Sequence, residues 1–131
     1  MKLINLSLLL CAAFYISGCT TMADAIAARG TGDQKSYNQT KDEIWPFVVE
    51  AVPAVGLELV TENEASGMLL AQRGITALSY GENVAIFIDD KEGGQCSVEV
   101  VSKKAMETNV FAPNWSNAIF KYLDKKQDQP K

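Results

Sequence analysis

The sequence predicts a two-layer α+β domain: a four-stranded antiparallel meander with two helices on one face, in the order α-β-β-β-β-α. Three patterns predict it. A stripe of apolar residues at helical spacing follows a capping box near residue 40. Four runs with period-two alternation come next, joined by turn-like connections. An amphipathic segment behind a capping Asn closes the chain.

The first helix is read in "TKDEIWPFVVEAVPAVG". Thr40 and Glu43 have the S/T-x-x-E spacing, so each can satisfy a backbone N–H that the helix start leaves open. Asp42 and Glu43 suit its positive end. Ile44, Phe47, Val48, Ala51, Val52 and Val55 then recur at three and four, and Gly56 is a natural stop. Pro46 and Pro53 each delete a helical hydrogen bond, which predicts a kink or an irregular first turn.

The strands follow. In "GLELVTE", Leu57 and Leu59 alternate with Glu58; "GMLLAQR" sets Met68 and Leu70 opposite Leu69 and Ala71. "ENVAIFID" puts Val84, Ile86 and Ile88 on one side, and "QCSVEVVS" does so with Cys96, Val98 and Val100. Short links, "NEAS" and "DKEGG", imply consecutive antiparallel pairing. After an irregular stretch, "AMETNVFAPN", the last helix begins behind Asn114, with Trp115, Ile119 and Tyr122 inward and Lys125 and Lys126 at its negative end.

Upstream of all this, Lys2 precedes a largely apolar run that ends Ile16-Ser17-Gly18-Cys19. The run falls short of the roughly 20 residues a spanning helix needs, and has the layout of a secretory signal. The four residues at its end resemble the lipobox of bacterial lipoproteins. That resemblance implies cleavage between Gly18 and Cys19, a diacylglyceryl thioether on Cys19, and acylation of the new amino group. Thr20 in place of Asp implies the outer membrane, facing the periplasm, rather than inner-membrane retention. The expected division is a signal peptide at 1–18, a lipidated Cys and flexible tether at 19–36, a domain at 37–127 and a frayed tail at 128–131. "TTMADAIAARGTGDQKS", residues 20–36, reads as the tether because it is small, polar and Ala/Gly-rich. A packed helix there would have only Met22 and Ile26 as large anchors, and Tyr37 falls in a short extended piece.

Composition narrows the chemistry. Sixteen acidic against 12 basic residues in 131, a net charge of −4, argues against nucleic acid. The chain has no His, so it lacks the commonest general base and the commonest zinc ligand, and Ser-His-Asp or Cys-His sites cannot be built. With Cys11 in the signal and Cys19 acylated, Cys96 is left as a lone thiol, read as a buried small hydrophobe. "DDKEGG" reads as a hairpin rather than a calcium loop. No cofactor, metal or catalytic residue is expected.

The second sheet face carries the remaining signal. Val60, Leu69, Ala71, Ala85, Phe87 and Val101 are expected there, rimmed by charge. Such a patch suits a protein partner, with Val60, Leu69, Phe87, Val101 and Phe111 as contacts; the alternative is that residues 105–113 fold over it with Met106 and Phe111. "DEIWPFVVEAVPAVGLEL", "SYGENVAIFI", "CSVEVVSK" and "NWSNAIFKYL" resemble small bacterial envelope lipoproteins of uncharacterised function. The element order is similar to the repeated domain in the lipoprotein C component of the outer-membrane β-barrel assembly machine. Two functions stand open: an anchored, non-enzymatic lipoprotein docking onto an envelope partner, or a carrier of a small hydrophobic ligand or lipid in a cavity between sheet and helices.

Overall fold

The computed structural model describes residues 20–77, 81–104 and 112–128. Their elements run α1 (Met22–Ala27), β1 (Asp33–Tyr37), α2 (Lys41–Ala54), β2 (Glu58–Asn63), β3 (Met68–Arg73), β4 (Glu82–Lys91), β5 (Gln95–Lys104) and α3 (Trp115–Gln127). The α+β class is as expected, and β2 to β5 form the expected antiparallel meander. The sheet has a fifth strand, however: its order is β1-β5-β4-β3-β2, with β1 antiparallel to β5.

The local chemistry of α2 is the expected one. Thr40 Oγ1 accepts from the Glu43 amide at 3.3 Å, and Glu43 Oε2 accepts from the Thr40 amide at 2.9 Å. The helix then runs from Lys41 to Ala54 with both prolines inside it, so neither ends it. Asn114 caps α3 by accepting from the Asn117 amide at 2.9 Å. Trp115, Ile119 and Leu123 form its buried stripe, one residue on from the expected Tyr122, which is partly buried beside them.

Helices α2 and α3 lie together on one face of the sheet. The main core there joins Ile44, Val48 and Val52 of α2 and Ile119 of α3 to Val84, Ile86, Ile88, Val98 and Val100 of the central strands. Those strand residues are the ones the alternation predicted. Strand β3 is the exception. Leu69 and Ala71 belong to the main core, while Met68 and Leu70 face the other way. The pairing of Leu69 with Ile86 fixes this phase. Alternation could not, since both sets of β3 side chains are apolar.

A flexible tether was expected at 19–36; from residue 22 this segment is instead α1, a turn and β1. Strand β1 has almost no apolar pattern of its own. Its backbone is satisfied by the free edge of β5, and alternate side chains meet the last helix: Asp33 accepts from Ser116 Oγ, Lys35 reaches the Asp124 carboxylate at 2.6 Å, and Tyr37 enters the core. The expectation that one face alone carries helices also needs correction, because α1 packs on the opposite face against β4 and β5.

Candidate functional site

The second face of the sheet is a small core in its own right. Leu70, Ala85, Phe87 and Val101 are buried beneath Ala25 of α1, with Met22, Ala28 and Met68 at its margin. Residues 20–32 cross this face as a strap, and polar contacts fasten it along its length. Where the strap enters, Thr20 Oγ1 donates to the Lys104 carbonyl and Asn83 Nδ2 donates to the Thr20 carbonyl at 3.3 Å. Where it leaves, the Glu99 carboxylate, only 5% exposed, accepts from the amides of Gly30 at 2.6 Å and Gly32 at 2.8 Å. Arg29 sits between, its guanidinium 4.8 Å from the Phe87 ring centroid and 2.5 Å from Asp89. That contact lifts the already high Arg29 pKa, chiefly through its hydrogen bond to Asp89.

Glycine is required at both anchoring amides: Gly30 has a φ of +89°. A Cβ on Gly32 would fall inside the van der Waals radius of the Val100 carbonyl oxygen.

The expected partner residues are thereby scattered. Leu69 lies in the main core. Phe87, 2% exposed, and Val101 are on the second face but beneath the strap. Among the described residues the cover comes from α1; most of the 105–113 stretch, Phe111 included, lies outside the described residues, as do Gly18 and Cys19. Val60 alone among the described members is open, at 47% exposure. It sits at the register shift between Leu59 and Thr61 of β2, an edge strand of the sheet among the described residues. Sequence reading missed the strap because its anchors are backbone amides, one Arg and small Ala side chains, none of which shows a hydrophobic period.

Two clefts open beside β1. The larger, about 380 Å³, is lined by Lys35, Tyr37, Asn38, Asp124 and Gln127; the other, about 200 Å³, by Gly32, Asp33, Ser102 and Ser116 among others. Both are open and largely polar. In the first, Asp124 already holds Lys35, and burial, followed by the nearby Asp124 charge, pushes the Tyr37 phenol well above its ordinary value, so it stays protonated at neutral pH. In the second, Asp33 is engaged by Ser116. Cys96 is buried, with its thiol pushed up to about 11 by desolvation first and the Asp90 charge second. Among the described residues no three His, Cys, Asp or Glu side chains gather as a metal site, and no helix is long and apolar enough to cross a membrane.

The geometry thus defines a small α+β domain whose leading segment is bound across its own sheet. No family model matches the sequence, and no curated protein does. Among solved structures the chain is similar to the crystal structure of Ara h 8.0201, with 12% identity and a TM-score of 0.43, over 72% of this chain and 93% of that one. A likeness at that score defines neither family nor function for this chain.

Proposed function

We propose that this chain is a lipid-anchored, non-enzymatic lipoprotein of the bacterial envelope that presents its domain to a protein partner. Cys19 carries the lipid, Gly18 precedes the cut, and the anchor sits in the outer membrane facing the periplasm. The sequence Ile16-Ser17-Gly18-Cys19 supports the anchor. Docking is supported by a single observation: with Phe87 and Val101 covered, Val60 stays exposed on the open edge of β2. An edge strand offers unpaired amides and carbonyls, and its apolar side chain adds specificity to a partner strand laid alongside.

A photoreactive residue at position 60 tests this in intact cells. A discrete protein adduct at 60, absent when the residue is placed at Glu92, is the expected result. The absence of any adduct at 60 overturns docking. Mass spectrometry of the native protein checks the anchor: the expected mature chain begins at Cys19 with its fatty chains attached, and any other start overturns it.

The carrier reading ranks second. The described clefts are open and polar, and the space between the helices and the sheet is occupied by Trp45, Val48, Val52, Ile119 and Leu123. Stoichiometric co-purification of a small apolar molecule would reverse this ranking.

A further inference from the structure

We infer that the end of the sheet bearing Thr20, Arg73, Ile75, Lys103 and Lys104 lies on an anionic phospholipid surface, fixing the orientation of the domain on its membrane. The inference rests on lipidation of Cys19 and goes beyond it, because an anchor by itself leaves orientation free.

Sheet register places these residues at one end. Arg73 pairs with Glu82 and Glu82 with Lys104, one row across three strands; Thr20 is hydrogen-bonded to Lys104 in that row and to Asn83 in the next. Cys19 is the next residue in the chain. An acylated Cys19 would therefore have no slack, and the bilayer would meet this end of the sheet within a residue's length, about 3.5 Å. Two residues beyond Arg73 is Ile75, 80% exposed, the most exposed large apolar side chain among the described residues. Basic residues beside an exposed aliphatic one suit the interface of an anionic bilayer, where the headgroups attract the cations and the acyl boundary takes the apolar group. Of the described acids at this end, Glu82 is buried, Asp24 is bonded to the Thr21 amide and lies near the Lys103 charge, and Glu58 accepts from Gln72.

The opposite end carries more acids than bases among the described residues. Glu64, Asp89, Asp90 and Glu92 lie on its turns and hairpin, with Lys41, Lys91 and the Asp89-bound Arg29 among them. A ten-residue strand separates the two ends, roughly 30 Å, several times the screening length at physiological salt. The described chain enters at the end that carries Arg73, Lys103, Lys104 and the exposed Ile75.

Single-cysteine probes test this on full-length protein produced in a lipoprotein-processing host. An environment-sensitive fluorophore is placed at Ile75→Cys or at Glu64→Cys. Cys96 is buried and stays unlabelled in the folded protein. Each protein is reconstituted into phosphatidylethanolamine/phosphatidylglycerol vesicles containing a lipid-borne quencher. Quenching at 75 and none at 64 is expected. In a Lys103→Glu/Lys104→Glu background the docked-to-free ratio should fall roughly fivefold per basic residue lost, and it should fall similarly when phosphatidylcholine replaces the anionic lipid. Equal quenching at both positions, or quenching at 64 alone, overturns the orientation. Mass spectrometry of the same samples separates the two failures. Acylated protein without the expected pattern refutes the orientation alone; protein without acyl chains refutes the anchor and this inference with it.

Discussion

Glu99 and Cys96 show how single side chains govern this domain. Glu99 is a carboxylate on a central strand whose partners are two amides of the strap. Removing it leaves those amides unpaired beside the sheet, so Glu99→Ala should cost about 2–3 kcal/mol, while Glu99→Gln, which keeps an acceptor oxygen, should lose less. Denaturant unfolding of the two variants measures the difference, and equal losses would show that the carboxylate does not hold the strap. Cys96 predicts a pH dependence. The folded thiol keeps its proton to about 11, against an ordinary value of 9.0. Its contribution is therefore complete below about pH 9 and is lost as the pH rises towards 11, at up to about 1.4 kcal/mol per pH unit. Urea titrations at pH 8, 9.5 and 11 should show stability falling across the series, and Cys96→Ala should lessen the fall, the remainder above pH 10 coming from the raised Tyr37 phenol. A thiol reagent at pH 8 should react with Cys96 only once the protein unfolds.

Among the elements, the strap and the two edge strands carry the specific expectations. Gly32→Ala should lift the exit of the strap from Val100 and expose the apolar surface around Phe87. Greater binding of a hydrophobic dye, with little loss of the helical signal, would show this; unchanged dye binding would mean the strap does not depend on that close approach. Val60→Lys should alter stability by no more than about 0.5 kcal/mol, because the side chain is exposed at the bulge, and it should abolish partner adducts formed by a probe on neighbouring Thr61. At α2, Thr40→Ala should cost about 1 kcal/mol by breaking the capping box. That box, the Asn114 cap and the inward sets of β4 and β5 were all legible in the sequence. Each is a local rule that one segment satisfies by itself. Strand β1 was not legible, because Asp33, Lys35 and Tyr37 acquire their roles only from Ser116, Asp124 and the core, up to 89 positions away.

Across the whole molecule, β4 and β5 pair over ten residues in the middle of the sheet and carry core on both faces. Amide exchange should be slowest there, faster in β2 at the open edge, and intermediate in α1, which opens without breaking the sheet. Exchange in α1 as slow as in β5 would mean that strap and sheet open together. The sequence by itself determined the class of the fold, the meander, the helix boundaries set by their caps, the lack of His-based chemistry and the lipobox-like Cys19. These follow from short-range patterns and composition. The tertiary structure alone decided the phase of β3, the fifth strand and the covering of Phe87. Alternation is degenerate where both faces of a strand are apolar, and an edge strand or strap draws its stability from a sheet already formed rather than from a pattern of its own.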